Sequence, residues 1–233
     1  MKYLNKKLAL VIMLFFMLCN VNSVMADSNK DDLIKQAKSG DKVAQYSLAN
    51  LLFAQSIDKE KYDDEVVYWY KQSADQGYAK AQFALAMVYR RLKKYGEVID
   101  WLKKAAEQNH VQAQYYLWVE YQFGFSVDYD KYDKIEARHW LIKAAEQGYT
   151  PAQVELGNLY LIEANDNARY EKAIYWYKKA AEANDPYAQL NLGLIEKESS
   201  NYNQALYWFK RACKNNFNDA CHLASTIKVK KKK

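Results

Sequence analysis

Three serines stand three residues before a lysine: Ser39 and Lys42, Ser56 and Lys59, Ser225 and Lys228. In that spacing a lysine amine can activate a serine nucleophile for acyl transfer. The chemistry also needs a Ser-Asp-Asn or Lys-Thr-Gly partner element, and the sequence contains neither. His110, His139 and His222 are scattered and form no HxxxH or HExxH pair, so zinc is not expected. The acidic stretches Asp63-Asp64-Glu65 and Asp128 to Asp133 lack the turn glycine and dense oxygen spacing of a calcium loop. Tyr121-Gln122-Phe123-Gly124-Phe125 reads as the start of a loop, not as a phosphate cradle. The expectation is a protein without catalytic residues, metal or cofactor.

The elements that carry these residues repeat. Trp69, Trp101, Trp140, Trp176 and Trp208 recur, and so do Ala-Gln pairs ending at Gln45, Gln82, Gln114, Gln153 and Gln189. Ala220-Cys221 fills a sixth such slot. From each Trp to the next Gln slot the distance is always 13 residues, whereas from Gln to the next Trp it is 24, 19, 26, 23 and 19. One connection per unit is therefore fixed and the other varies, as a stack requires when the turn between neighbours must keep its geometry. Ala173, Trp176, Ala180 and Ala181 lie on one helical face, and Ala152, Leu156 and Tyr160 do the same in the next segment. Gly77 and Gly148, with Asn109, Asn184 and Asn216 in equivalent slots, suit left-handed helix caps. Pro151 and Pro186 suit first helical turns. Only two prolines and seven glycines occur in 233 residues, which fits an all-α chain.

The ends differ from the body. Lys2, Lys6 and Lys7 precede the apolar run Leu8 to Leu18, and Val24-Met25-Ala26 supplies small residues before Asp27. That pattern predicts a signal peptide over 1–26, cleaved after Ala26, and a periplasmic or secreted protein. Lipidation at Cys19 is the alternative, but Leu18 precedes it where a small residue belongs. Taking the three lysines of 1–26 and the five from Lys228 to Lys233 out of a formal +6 leaves residues 27–227 near −2. The folded body is not basic, so no nucleic-acid footprint is expected, and no apolar run after the leader is long enough to span a membrane.

Ala152-Gln153-Val154-Glu155-Leu156-Gly157-Asn158-Leu159-Tyr160, with Lys172-Ala173-Ile174-Tyr175-Trp176-Tyr177-Lys178-Lys179-Ala180-Ala181, resembles the Sel-1-like repeat family, a relative of the tetratricopeptide repeats. The resemblance implies an all-α, right-handed superhelical solenoid of antiparallel helix pairs. It divides the chain into a capping half-repeat (27–40), repeats at 41–77, 78–109, 110–148, 149–184 and 185–216, and a capping helix to 224. A basic tail follows at 225–233. Two departures stand out: the family's glycine after the leucine slot is kept only as Gly157 and Gly193, with Ala49, Ala86 and Trp118 elsewhere, and Trp118 in that slot implies local spreading of the third unit.

Cys213 occupies an Ala slot and Cys221 the Gln slot of the following helix. In an exported chain they are either a disulfide across the fixed turn or two buried thiols. The terminal unit also looks like the cysteine-rich subset of the family, which implies a disulfide.

By resemblance to tetratricopeptide repeats, the concave face presents positions one, five, eight and nine after each Gln slot. The partner-binding candidates are Tyr46, Asn50, Phe53, Phe83, Met87, Arg90, Tyr115, Val119, Gln122 and Asn158. Aromatic and arginine residues are frequent binding hot spots, although the same positions can pack between repeats. The expected function is a monomeric, exported, non-enzymatic adaptor that holds a protein or peptide ligand. A specialised form of it is an immunity or envelope-regulatory protein. A β-lactamase-like or penicillin-binding enzyme, as described for some cysteine-rich relatives, is the competing reading.

Overall fold

A computed structural model of the chain describes residues 29–56, 64–123, 134–164 and 166–227. The leader expected over 1–26, the acidic stretch 128–133 and the lysines from Lys228 lie outside these residues. Among them there are twelve helices and no strand. They are α1 (29–38), α2 (Lys42–Ser56), α3 (Asp64–Asp75), α4 (Ala79–Arg91), α5 (Tyr95–Glu107) and α6 (Val111–Phe123). The rest are α7 (Lys134–Glu146), α8 (Thr150–Ile162), α9 (Asn167–Glu182), α10 (Pro186–Glu198), α11 (Tyr202–Lys214) and α12 (Asn218–Thr226). The chain forms two compact units, one running to Lys94 and the other beginning at Tyr95. Inside each, helices pack on their neighbours in the chain: α2 on α3 and α3 on α4, then α5 successively through α12.

A repeated hydrogen bond explains why the Trp-to-Gln distance never changes. The Gln45, Gln82, Gln114, Gln153 and Gln189 side chains are buried. Each Nε2 donates to the carbonyl of the alanine eight residues earlier: Ala37, Ala74, Ala106, Ala145 and Ala181, at 3.1–3.2 Å. These alanines lie in the last turn of the preceding helix, and each carbonyl also accepts the N–H of the left-handed turn residue three positions on. Three of the glutamines also accept a bond from the next fixed turn. Gln76 Nε2 reaches Gln45 Oε1 at 2.8 Å, Gln147 reaches Gln114 at 2.6 Å, and Asn215 Nδ2 reaches Gln189 at 3.0 Å. One buried amide thus ties its own turn to the turn of the following repeat.

The turn backbone is equally uniform. Gly40, Gly77, Asn109, Gly148, Asn184 and Asn216 all have positive φ, between 61° and 97°. The N–H groups that follow close back on the helix end, as in Tyr78 to the Ser73 carbonyl, Asp185 to Ala180 and Phe217 to Ala212. This is the left-handed cap, which Gly adopts freely and Asn tolerates. The two short connections within repeats use the same device at Lys93 and Ser200, with φ of 58° and 62°.

In the terminal repeat Cys221 stands in the Gln slot and is bonded to Cys213, eight residues earlier, with Cα atoms 4.7 Å apart. A covalent link replaces the hydrogen bond there. In the chain-entropy account so short a loop contributes about 2.5 kcal/mol, against about 1 kcal/mol net for a typical hydrogen bond.

Close approach of helices accounts for the two surviving glycines. A Cβ on Gly157 would sit 2.7 Å from the Tyr177 ring, and one on Gly193 would meet the Phe209 ring closer still. Both rings are fully buried. Each ring occupies the position after a repeat Trp, and the glycine clears the space it fills. Tyr70 also follows a repeat Trp, with Ala49 in the corresponding slot, and where the position is Leu141 that slot holds Trp118. Trp118 is buried.

Trp69, Trp101, Trp140 and Trp176 are buried, and four of the five repeat tryptophans have a cation over the ring face. Lys104 lies 4.0 Å from the Trp101 ring centre, Lys143 4.8 Å from Trp140, Lys179 5.6 Å from Trp176 and Arg211 5.4 Å from Trp208. Trp208, in the last pair, is only half-buried.

Two substitutions separate these contributions. Gly193→Ala should cost about 1–3 kcal/mol through overpacking against Phe209. Gln114→Ala should cost about 0.5–1.5 kcal/mol for each hydrogen bond lost: the one to the Ala106 carbonyl, which keeps the Asn109 N–H, and the one accepted from Gln147. Urea melts followed by circular dichroism check both, and a stability equal to wild type in either variant contradicts the assigned contact.

Candidate functional site

The candidate binding residues divide between the two units. In the first, Tyr46 and Phe53 of α2 and Phe83 and Met87 of α4 line one open cavity of about 340 Å³. Tyr70, Ala84, Val88 and Arg91 complete its wall. Arg91, rather than the expected Arg90, is the arginine on this wall. Asn50 serves the fold: its Oδ1 accepts the Tyr70 hydroxyl at 2.7 Å. Tyr46 does two things at once. It packs edge-on against Tyr78 at 5.3 Å and tilted on Tyr70 at 6.0 Å, while it also lines the cavity.

In the second unit Tyr115 and Asn158 meet at a cavity of about 320 Å³. Pro151, Val154, Glu155, Asp185, Tyr187 and Asn191 share its wall; Val119 and Gln122 are absent from it. Tyr115 repeats the behaviour of Tyr46: the Tyr149 ring lies 5.2 Å away, edge to face. Both Tyr78 and Tyr149 occupy the helix N-cap position, where Asp41 and Asp185 instead accept backbone N–H groups with their carboxylates at 2.7 and 2.8 Å. A tyrosine at the cap thus trades the capping bond for a clasp on the neighbouring repeat.

Asn158 resembles Asn50 in its role. Its Oδ1 accepts the Tyr177 hydroxyl at 2.7 Å and the Asn191 amide at 3.4 Å, and its Nδ2 donates to Glu155 at 3.1 Å. A rule that is readable within this one sequence connects the two asparagines. Wherever the residue after a repeat Trp is Tyr (Tyr70, Tyr177), the fifth position after the preceding Gln is Asn (Asn50, Asn158). Where it is Leu or Phe (Leu102, Leu141, Phe209), that position is Met87, Val119 or Leu194. A buried hydroxyl must have a partner, and the polar pair exchanges as a unit for an apolar one. Glu155, Asp185, Tyr187 and Asn191 were missed because they lie two positions after a Gln slot, or two or four before it, outside the positions used to select candidates.

Two of the three serines in the serine–lysine spacings bond to local carbonyls. Ser39 Oγ donates to the Gln36 carbonyl at 2.8 Å and Ser225 Oγ to that of His222 at 2.7 Å. Both serines are exposed, and Lys59 and Lys228 lie outside the described residues. Among the described residues no three His, Cys, Asp or Glu side chains converge as a metal site would. No helix there is long and apolar enough to cross a membrane.

Burial, above all, pushes the Tyr177 phenol up to about 12. Burial does the same for Tyr115, with the nearby Glu155 carboxylate adding to it, and that phenol also reaches about 12. An unfolded tyrosine ionises near 10. The stabilisation is therefore complete below pH 10 and is lost as pH rises from 10 towards 12, where the unfolded chain sheds protons first. Thermal melts from pH 8 to 11.5 should show falling Tm above pH 10, and Tyr177→Phe should flatten the fall. A double-mutant cycle of Asn158→Leu and Tyr177→Phe should show coupling of about 0.5–3 kcal/mol, the pair being milder than Asn158→Leu alone.

The Sel1 repeat family model matches residues 42–78, 79–110, 111–149, 150–185 and 186–217. No curated protein matches the sequence. Among solved structures, c5321, a protective antigen present in uropathogenic Escherichia coli with an SLR fold, is 29% identical at a TM-score of 0.72 over 85% of this chain. A Sel1 repeat protein from Oxalobacter formigenes is 26% identical at a TM-score of 0.71 over 84% of it. The chain spans only 43% and 58% of those two proteins. A Sel1 repeat protein from Klebsiella pneumoniae, 23% identical, aligns over 85% of this chain and 98% of its own length at a TM-score of 0.51. With five consecutive matches and the repeating glutamine bond behind them, the chain belongs to the Sel1 repeat family.

Proposed function

We propose that this protein is an exported, non-enzymatic adaptor whose first-helix surfaces hold a protein or peptide partner. The observation that carries the reading is the division of labour among its side chains. The buried Gln, Ala and Trp residues hold the stack. Tyr46, Phe53, Phe83 and Met87 are only half-buried and surround an open cavity that no repeat fills. Large apolar and aromatic side chains around a solvent-open hollow favour a ligand surface. Ser39 and Ser225, two of the three serines of the Ser-x-x-Lys spacings, bond to local carbonyls, which favours binding over hydrolysis. The Cys213–Cys221 disulfide supports an oxidising compartment and hence export.

Phe83→Ala tests this directly. In a pull-down from envelope extract the variant should lose at least tenfold of a partner captured by wild type, with Tm nearly unchanged. Unchanged capture, or a collapse in Tm that makes Phe83 ordinary core, overturns the assignment of that cavity. Hydrolysis of a chromogenic β-lactam by the purified protein would overturn the adaptor reading.

A further inference from the structure

The second cavity has a chemistry the first lacks. Tyr115 comes from α6, Val154 and Glu155 from α8, and Tyr187 from α10; Asp185 caps the start of that last helix. Its floor is rigid, because Asn158 is held by Tyr177 and Asn191. Glu155 and Asp185 form no salt bridge among the described residues. Glu155 accepts one bond, from Asn158 Nδ2 through Oε2, and Asp185 Oδ1 accepts the Ala188 N–H. Each carboxylate thus keeps an oxygen for another donor. No basic side chain lies on the wall, whereas the cavity of the first unit carries Arg91. Tyr187 is 58% exposed although it packs on Phe217, so one face of its ring remains open beside the cavity.

We propose that this cavity receives a basic side chain, arginine or lysine, presented by a peptide segment of the partner. Glu155 and Asp185 take its charge, and Tyr115 and Tyr187 flank its stem. The inference rests on the adaptor reading and names the chemistry of its ligand. Each part of such a side chain meets a matching group. The methylenes lie along Val154 and Pro151, as long basic side chains lie on apolar surface. The cation lies against tyrosine rings, which attract it through their faces. Two carboxylates on a partly enclosed wall act on the charge more strongly than in open water. An acidic peptide would meet the same carboxylates unpaired, so the site also discriminates. The elevated Tyr115 phenol agrees with this placement, since the Glu155 charge contributes to it.

The test is calorimetric titration of the full protein with tetra-arginine amide at low salt, with tetraglutamate as control. This probe needs no native partner, so failure of the pull-down and failure here are read separately. Saturable 1:1 binding of tetra-arginine and none of tetraglutamate is expected. Glu155→Gln with Asp185→Asn should weaken binding at least tenfold, because Gln keeps the Asn158 contact and Asn keeps the helix cap. Tyr187→Ala, at an exposed ring, should weaken it about threefold or more with Tm retained. Equal affinity in the Glu155/Asp185 variant overturns the proposal and marks the binding as nonspecific charge attraction. Binding that appears only after deletion of Lys228–Lys233 also overturns it and identifies the chain's own tail as the occupant.

Discussion

A single hydrogen bond sets the terms for this molecule: a buried glutamine amide donating to the carbonyl of an alanine eight residues before it. Such a carbonyl sits at a helix end, where it also accepts the N–H of the turn residue three positions on, so the amide adds a second bond to a turn the backbone has already closed. The bond can form only if the preceding helix stops on schedule, the chain turns through a left-handed residue and the next helix starts at once. That is why Gly40, Gly77, Asn109, Gly148, Asn184 and Asn216 recur with one backbone conformation. The same amide's oxygen accepts from the next turn in three places, so the polar bonds run from repeat to repeat along the buried side of the turns.

Much of this was legible in the sequence because repetition works as an internal alignment. Five equal distances from Trp to Gln isolated the rigid turn, and the Gly and Asn positions identified its cap. Even the disulfide followed from the slots of Cys213 and Cys221, although spacing alone left free thiols open. The glycine departures were visible, but their cause was not. Only the fitted rings of Tyr177 and Phe209 show that the small residue answers to an aromatic on the neighbouring helix.

The binding candidates were less legible, because a position on the first helix does not say what its side chain is doing. Asn50 and Asn158 were chosen as surface contacts and turn out to satisfy buried tyrosine hydroxyls. Tyr46 and Tyr115 divide themselves between a neighbouring tyrosine and an open cavity, a dual role that no spacing rule separates. The acidic wall of Glu155 and Asp185 was missed because it is assembled from α8 and the cap of α10, positions that one repeat template treats as unrelated.

The disulfide also gives the stack a direction. A linear array held together by nearest-neighbour contacts opens most readily from its ends, where a helix pair has support on one side only. Among the described residues the pair α11–α12 comes last, with a short helix α12 and the one repeat tryptophan that is only half-buried. Closing its turn with sulfur instead of an amide bond confines α12 against α11, so that opening at this turn would take reduction as well as unfolding, and a protease finds no loose turn at Asn215 and Asn216 to begin from.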